Sequence, residues 1–433
     1  MDHLEPISFS IVNYGCKVNT YDGGLLESRL KKDGFSPSDK PRVYIVNTCA
    51  VTAEATKEAI RQVRKIKKLN PDSIVAVTGC GAQVDTDKYA ELKEADLVVA
   101  NSHKGRLETL VRQFLAGKQL EKTHKDNIFR KLDLEEGGGL ESSHTRSFLK
   151  IQDGCNSFCT YCVIPFARGR SRSLSIDSLV ERVNELHSQN FQEVVLTGIH
   201  IGDYEDSGKV LEDLIESILM RTNMPRIRLT SLEPVEIGDR LLELFKNEKM
   251  CKHFHMSIQS AQNAVLKNMK RKYGSAEVES ALTSIAKKVP GSFIGMDVIV
   301  GFPGETPEQY QETKSRLEGL PWTKIHVFPY SERPGTKALT LPDKVSGSEI
   351  ARRSADLRGL SLERYAKCAL EQIGSIKDVL VLKDGLALSR DFWKVQIPGS
   401  VASESPEIKV KISGYDHSNF SAIEGALVGV QDY

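Results

Sequence analysis

Long apolar runs are missing from this chain of 433 residues. No stretch of about eighteen apolar residues occurs, so no transmembrane helix is expected, and the first residues lack the apolar core of a signal peptide. Net charge is also nearly absent, because 59 lysines and arginines oppose 58 acidic residues. Overall charge therefore favours no polyanionic partner, and a nucleic-acid surface would have to come from local basic clusters. The expected setting is the cytosol, where the eight cysteines are better explained as ligands or catalysts than as disulfides.

Residues 1–120 alternate short β-branched runs with helical patterns, which predicts a parallel α/β domain. The runs are residues 9–12, 43–46, 74–77 and 97–99. Residues 56–68 place apolar side chains at helical spacing among arginines and lysines, which predicts an amphipathic helix with a basic outer face. The polar segment 121–146, with three consecutive glycines, is predicted to be a linker.

Residues 147–372 contain six further strand candidates with helical patterns between them. These candidates are residues 148–152, 193–196, 226–229, 253–258, 293–300 and 324–328. Six β–α units predict a partial (β/α)6 barrel whose reactive end lies at the carboxyl ends of its strands. Residues 373–433 read as short strands with turns, which predicts a small antiparallel β-barrel. The predicted fold class is therefore α/β with a small all-β domain at the C-terminal end.

A tight cysteine pattern follows the first predicted barrel strand. The stretch DGCNSFCTYC places Cys155, Cys159 and Cys162 in a C-x3-C-x2-C arrangement. Three thiolates so close together suit a soft metal centre. A four-iron cubane held by three cysteines leaves one iron open to a substrate or cofactor. The alternative is a zinc knuckle lacking its fourth ligand, although zinc sites usually show two ligand pairs.

Three other cysteines are far apart in the sequence but occupy equivalent places. Cys16, Cys49 and Cys80 each follow a predicted strand of the first domain, 33 and 31 residues apart. The carboxyl ends of parallel strands lie along one edge of a sheet, so these thiols are expected to converge. The alternative is three independent buried thiols, but their common position favours a shared metal centre.

Six motifs together resemble one known family over essentially the whole chain. They are YGCKVNTYD, VNTCAVT, VTGCGAQ, FLKIQDGCNSFCTYCVIPFARGRSRS, DVIVGFPGET and HVFPYSERPGT. The triplet at the mouth of a partial barrel resembles the radical S-adenosylmethionine (SAM) superfamily. Three upstream cysteines and a tail similar to a TRAM domain narrow the resemblance to the methylthiotransferases. The chain departs from the usual pattern at Gly81, where tyrosine is common, and at residues 260–262, where Ser-Gly-Ser is usual.

The resemblance implies two 4Fe–4S clusters, one on Cys155, Cys159 and Cys162 and one on Cys16, Cys49 and Cys80. The first would cleave SAM to a 5′-deoxyadenosyl radical, and the second would be the sulfur donor. SAM would serve as both methyl donor and radical source. The G-C-K-V-N stretch is typical of the MtaB type, which acts on N6-threonylcarbamoyladenosine at position 37 of tRNA. The implied partners are the tRNA anticodon stem-loop and a reduced flavodoxin or ferredoxin-type electron donor.

Further site residues are expected at the barrel mouth. By resemblance, SAM would contact residues at or just beyond the strand ends, namely Tyr161, Thr197, Gly198, Ser231, Glu233, Gln259, Gly301 and Gly304. Arg168, Arg170 and Arg172 alternate after the cysteine triplet, and we predict that they bind phosphates or a substrate carboxylate. Arg271 lies in a basic run that is predicted to be an exposed helix face. Histidines on the barrel strands, such as His200, are expected to be satisfied core residues.

Three alternatives remain open from the sequence. Isopentenyladenosine enzymes usually show G-C-Q-M-N, and enzymes acting on a ribosomal-protein aspartate usually show G-C-P-K-N. The stretch Lys17–Val18–Asn19 counts against both. A zinc-stabilised RNA-binding protein without catalysis is the alternative from another class.

Overall fold

The computed structural model of the chain describes residues 7–135, 137, 145–382, 385–397, 406–416 and 423–427. Within these ranges the chain forms an N-terminal parallel sheet with helices, a partial barrel and a small closed β-barrel. No helix in this described part has the length and hydropathy needed to cross a membrane.

The N-terminal domain is a six-stranded parallel sheet in the order β2-β1-β3-β4-β5-β6. Its strands are β1 (Ser8–Asn13), β2 (Ser36–Pro37), β3 (Val43–Thr48), β4 (Ile74–Gly79), β5 (Leu97–Ala100) and β6 (Thr123–His124). Its helices are α1 (Lys17–Lys32), α2 (Ala53–Leu69), α3 (Cys80–Val84), α4 (Thr86–Ala90) and α5 (Leu107–Leu115). The four predicted strands and the predicted amphipathic helix are therefore present.

The segment predicted as a linker is partly structured. Thr123 pairs with Val98 and His124 with Val99, so the chain adds an edge strand to the N-terminal sheet after residue 120. The sequence did not predict this strand because two residues carry no periodicity. Residues 136 and 138–144, which include two of the three consecutive glycines, lie outside the described residues.

The central domain contains six parallel strands in two halves. One half has the order β11-β10-β7 and the other β12-β13-β14, and two parallel bridges, Ile227–Met250 and Leu232–Met256, join them. A separate two-stranded ribbon, β8 with β9, lies at the mouth. The strands are β7 (Arg146–Lys150), β8 (Gln152–Asp153), β9 (Arg172–Ser173), β10 (Glu193–Thr197), β11 (Ile227–Leu229), β12 (His253–Gln259), β13 (Phe293–Val300) and β14 (Lys324–Pro329).

Helices cover the outside of this barrel and bury alternate strand residues. Phe254, Met256 and Ile258 of β12 belong to the main core, and so do Met296 of β13 and Ile325 of β14. Because strand side chains alternate, the residues between them face the barrel interior. The helices are α6 (Ile164–Arg168), α7 (Ile176–Ser188), α8 (Leu211–Arg221), α9 (Asp239–Leu244), α10 (Asn263–Asn268), α11 (Ser275–Lys288), α12 (Pro307–Gly319) and α13 (Gly347–Leu370).

The C-terminal domain is a closed five-stranded barrel in the order β15-β16-β17-β19-β18. Its strands are β15 (Ile376–Val381), β16 (Leu386–Ser389), β17 (Lys394–Gln396), β18 (Glu407–Tyr415) and β19 (Ile423–Leu427). Four pairings are antiparallel as predicted, but β17 pairs with β19 in parallel. Trp393 fills its core and contacts Tyr365 of α13, which joins the barrel to the central domain.

Candidate active site

The cysteine triplet lies in the loop between β8 and α6, at the barrel mouth. Gly154 precedes it with φ of +76°, and a Cβ there would lie 2.0 Å from the Arg170 carbonyl oxygen, so the turn requires glycine. The Ser157 amide donates to Cys155 Sγ at 3.4 Å, and the Ile164 amide donates to Cys162 Sγ at 3.4 Å. The loop therefore directs backbone donors at two of the three sulfurs.

The three thiols of this loop interact electrostatically. Burial raises the pKa of Cys162 to about 12, and the charge of Cys159 adds to the rise. Burial also opposes ionisation of Cys155, but hydrogen bonds from His200 and Ser157 prevail and lower its pKa. Mutual repulsion of nearby thiolates is relieved when a cation binds them, so the arrangement suits a metal centre.

Cys16, Cys49 and Cys80 also come together, at the ends of β1, β3 and β4. Gly15 has φ of +100°, and a Cβ there would lie 2.8 Å from Cys49 Sγ. Burial raises the pKa of Cys49 to about 11, and the charges of Cys80 and Cys16 raise it further. The thiols are thus close neighbours despite their separation in sequence.

The two cysteine sites pack against one another. Ala50 and Cys80 of the N-terminal domain form one apolar cluster with Val163 and Ala167, which follow Cys162. Asn101 Nδ2 donates to the Ala167 carbonyl at 2.9 Å and lies 3.7 Å from Cys80 Sγ. The cysteine edge of the N-terminal sheet therefore faces the cysteine loop of the barrel.

A buried charged network holds this interface. The Arg168 side chain is 2% exposed, and its Nη1 lies 3.0 Å from both Asp22 Oδ2 and Asp153 Oδ1. Asp22 also pairs with Lys150 at 2.6 Å and with Lys104 at 3.3 Å. The prediction that Arg168 binds phosphate or substrate is therefore wrong for this arrangement, because its charge is used inside the protein.

The other two arginines of the run differ from Arg168. Arg170 is exposed, and its place beside the mouth leaves it accessible to a polyanion. The Arg172 side chain is only 10% exposed. Its Nη1 donates to the backbone carbonyls of Lys131 at 3.2 Å and Arg168 at 3.0 Å. The alternating arginines therefore divide into Arg168 and Arg172, which point into the protein, and Arg170, which faces solvent.

A second buried ion pair joins the same two domains. Arg333, in the loop after β14, is ion-paired with Asp85 and donates to Thr56 Oγ1 at 3.3 Å. The side chains of Arg333 and Asp85 are both almost completely buried from solvent. Sequence reasoning found neither this pair nor the Asp22 network. Asp22 and Arg333 lie in the family motifs, but no spacing indicates partners so far apart in the chain.

Four of the residues expected to contact SAM lie at the ends of β10 and β12 and in the loop after β11. Gln152 Oε1 accepts from the amides of Ile199 and His200 at 3.1 and 3.0 Å, which fixes the turn at Thr197 and Gly198. Ser231 and Gln259 have φ of +52° and +62°. Strained non-glycine backbone of this kind concentrates at functional sites.

Tyr161 and Glu233 are linked through Arg271. Arg271 Nη1 donates to Cys159 Sγ at 3.3 Å and to the Tyr161 hydroxyl at 3.4 Å, and Nη2 lies 2.9 Å from Glu233 Oε1. The Arg271 side chain is only 5% exposed. The prediction of an exposed basic helix face is therefore wrong for this residue, which lies beside the cysteine loop.

Gly301 and Gly304 form the turn after β13, with φ of +75° and +82°. A Cβ on Gly301 would lie 2.4 Å from Ile350 Cγ1, so helix α13 explains this glycine. The Gly301 amide donates to Glu305 Oε2 at 2.6 Å, and Glu305 pairs with buried Arg353. The turn is thus fixed against α13 at the rim of the barrel.

His200 is not an ordinary core histidine. It lies beside Cys155 and Asp203, with ligand-type atoms of all three within 4.8 Å of one another. Its Nε2 is 2.5 Å from Glu236 Oε1. Burial opposes protonation, but hydrogen bonds with Asp203, Cys155 and Glu236 prevail and raise its pKa to about 12. A protonated imidazole is a donor to a thiolate and not a metal ligand.

Comparison with known proteins defines the class of the two halves of this site. Residues 149–317 match the radical SAM superfamily, and residues 8–100 match the uncharacterized protein family UPF0004. The solved structure of the radical SAM methyltransferase TsrM from Kitasatospora setae is similar in fold, with a TM-score of 0.57, 17% identity and 77% of each chain covered. The chain is a radical SAM protein by fold and by its barrel-mouth cysteine loop.

Curated relatives narrow the class. The threonylcarbamoyladenosine tRNA methylthiotransferase MtaB of Aquifex aeolicus is 36% identical, over 89% of this chain and 95% of the relative. The Bacillus subtilis protein of the same name is 31% identical over 96% and 95%. A tRNA-2-methylthio-N(6)-dimethylallyladenosine synthase of Desulfotalea psychrophila is 32% identical over 88% and 90%. The chain belongs to the radical SAM methylthiotransferase family, of the MtaB type.

Proposed function

We propose that this enzyme methylthiolates carbon 2 of N6-threonylcarbamoyladenosine at position 37 of tRNA. The observation that carries the proposal is the packing of one three-cysteine site against another, with Cys80 beside the helix that follows Cys162. A transfer that needs both a radical source and a sulfur source requires two such centres facing one reaction space. The names of the MtaB relatives support the choice of substrate.

We propose that each triplet holds a 4Fe–4S cluster. Cys155, Cys159 and Cys162 form one ligand set and Cys16, Cys49 and Cys80 the other, each leaving one iron without a cysteine. When bound, the two clusters would supply the electron that cleaves SAM and the sulfur that is transferred, with SAM as both methyl donor and radical source.

The protein's own contribution is charge placement and exclusion of water. Amide donors from Ser157 and Ile164 direct positive dipoles at the loop thiolates, and Arg271 donates to Cys159. Donors to ligating sulfur stabilise the anionic form and tune the centre. Tyr161, Thr197, Gly198, Ser231, Glu233, Gln259, Gly301 and Gly304 are proposed to surround SAM at the strand ends.

The proposed macromolecular partner is the tRNA anticodon stem-loop. Arg170 is exposed at the mouth and is the member of its run that remains available to a phosphate. A reduced flavodoxin or ferredoxin-type protein is the proposed electron donor, and the cytoplasm, where tRNA is modified, is the proposed location.

Nucleoside mass spectrometry of tRNA from cells lacking this protein tests the substrate. We expect loss of the methylthio derivative of threonylcarbamoyladenosine and no change in the isopentenyl derivative. Loss of the isopentenyl derivative alone would instead identify the alternative tRNA substrate, and unchanged tRNA would favour a protein substrate such as a ribosomal aspartate.

Anaerobic purification tests the clusters. Two 4Fe–4S clusters predict a brown protein with about eight irons per chain. A colourless protein that contains zinc would favour the non-catalytic RNA-binding alternative and would contradict the radical mechanism.

A further inference from the structure

Three polar side chains face the interior of the barrel below the cysteine sites. His255, Asp297 and His326 come from β12, β13 and β14, on the face opposite the apolar core. His255 Nε2 lies 2.9 Å from Asp297 Oδ2, and the two imidazole rings stack at 5.5 Å. The side chains of His255 and Asp297 are 20% and 22% exposed, so space accessible to solvent lies next to them.

Lys17 of the N-terminal domain is close enough to this interior for its charge to act on Asp297. It follows Cys16 at the start of α1, and its charge interacts with those of Arg146, Arg228 and Asp297. Arg146 and Arg228 belong to β7 and β11 and Asp297 belongs to β13, so the Lys17 charge acts near strands of both halves of the barrel. Among the described residues, none forms a hydrogen bond or an ion pair with the Lys17 ammonium group.

The end of the barrel away from the cysteines is closed. Arg228 Nη1 donates to the Arg390 carbonyl at 3.1 Å, and the ring of Phe392 stacks on His253 at 3.8 Å. Both contacts come from the turn between β16 and β17 of the C-terminal barrel. The polar interior, which we call the inner chamber and define by Lys17, His255, Asp297 and His326, therefore faces the cysteine sites.

The inner chamber is unsuited to an aliphatic group. The Lys17 ammonium group has no hydrogen-bond or ion-pair partner among the described residues, and an ammonium group removed from water without a partner costs several kcal/mol. Burial lowers the pKa of His326 to about 4, so this imidazole is neutral near pH 7 and both donates and accepts hydrogen bonds. An anionic substituent with hydroxyl and amide groups would bond to these side chains, whereas an isopentenyl group would leave the Lys17 ammonium group without a partner.

We infer that the inner chamber binds the amino-acid substituent on N6 of the target adenosine, with the Lys17 ammonium group paired to its carboxylate. Asp297, held by His255, accepts from the hydroxyl or the urea N–H of the same substituent, and His326 completes its hydrogen bonding. This inference rests on the proposed function and explains how the enzyme would distinguish its substrate from isopentenyladenosine.

The test compares two RNA substrates with the reconstituted holoenzyme. One is an anticodon stem-loop carrying threonylcarbamoyladenosine at position 37, and the other carries the same group with its carboxylate converted to the primary amide. We expect the wild-type enzyme to favour the acid by about tenfold to a hundredfold in kcat/KM, the range for one charged hydrogen bond. Lys17→Met should remove this preference, whereas Lys17→Arg should retain most of it.

Controls separate substrate recognition from damage to the cysteine site. Lys314→Met removes a half-buried lysine that pairs with Asp356 on the outer helices, and it should leave the preference unchanged. Iron content and the optical spectrum report whether Lys17→Met still assembles its clusters. Asp297→Asn and His326→Phe change chamber residues on other elements, and each should reduce kcat/KM for the acid several-fold.

Failure of the inference and failure of the proposed function give different results. If the wild-type enzyme does not methylthiolate the threonylcarbamoyl RNA, the proposed function is wrong. If it does so but favours the acid equally in wild-type and Lys17→Met proteins, the inference is wrong. If Lys17→Met loses its clusters, unchanged kcat/KM in both Asp297→Asn and His326→Phe overturns the inference.

Discussion

Asp22→Asn is the sharpest test of how the two cysteine sites are held together. Asp22 and Asp153 are the two carboxylates of a network that also contains Lys104, Lys150 and Arg168. The substitution preserves shape but leaves Asp153 as the one carboxylate facing Lys104, Lys150 and Arg168, with Arg172 also 3.8 Å from it, in a region that is nearly inaccessible to water. Loss of one partner from a buried pair costs about 3–5 kcal/mol, because the remaining charge is uncompensated.

The expected result is a large loss of thermal stability. At about 2–4 °C per kcal/mol for a unit of roughly 150–250 residues, Asp22→Asn should lower the first calorimetric transition by roughly 6–20 °C. Arg168→Met should cost less, since Lys104 and Lys150 still pair with the two carboxylates. Asp33→Asn, at the end of the same helix, breaks an exposed pair with Arg112 and should cost at most about 1 kcal/mol.

The pH dependence of this transition gives a second measurement. Burial alone would raise the pKa of Asp22, but Lys104, Lys150 and Arg168 prevail and lower it. A carboxylate with a depressed folded-state pKa contributes stability that is present above about pH 4, its unfolded value, and is lost as the pH falls through the folded value. In the Asp22→Asn protein, the transition temperature should therefore fall less steeply as the pH is lowered below about 4. A shift no larger than that of Asp33→Asn, or a larger loss in Arg168→Met, would refute this account of the interface.

Three further predictions follow from other parts of the structure. Cys16→Ala should reduce iron from about eight to about four per chain and abolish methylthiolation, whereas Cys368→Ala should change neither; full iron in the first variant would remove Cys16 from the ligand set. Arg170→Ala should weaken stem-loop binding without changing the melting temperature of the protein. It should also reduce the slope of log K against log salt concentration by about one, and an unchanged slope would contradict a phosphate contact. Glu193→Gln should be strongly destabilising in calorimetry, by about 3–5 kcal/mol, because this buried carboxylate pairs with Arg146, Arg226 and Arg228, and a cost under about 1 kcal/mol would count against that network.

The fold was largely accessible from the sequence because its elements have strong periodicity. The β-branched runs of the N-terminal sheet, the six barrel strands and the amphipathic α2 all appear where the pattern predicts them. The parallel pairing of β17 with β19 was not predicted, since strand pairing depends on contacts between segments distant in the chain. The short edge strand β6 was missed for another reason, because its two residues carry no periodicity.

For the candidate site too, some features could be predicted from the sequence and others depended on contacts between distant segments. The sequence by itself determined which cysteines are the candidate ligands, because Cys155, Cys159 and Cys162 form a local pattern and Cys16, Cys49 and Cys80 follow strands of one parallel sheet. Only the tertiary structure decided what surrounds them.

Side chains of the same residue type differ in burial, and only the tertiary structure shows this difference. Arg168 and Arg170 have the same charge and lie two residues apart, but the first is enclosed with Asp22 and Asp153 and the second faces water. Lys17 belongs by sequence to the N-terminal domain, but its charge interacts with those of Arg146, Arg228 and Asp297 in the central one. Charge and spacing are properties of the chain, whereas ion-pair partners and desolvation arise only when the domains pack together. These decide whether a charged side chain is buried in an ion pair or remains exposed to water.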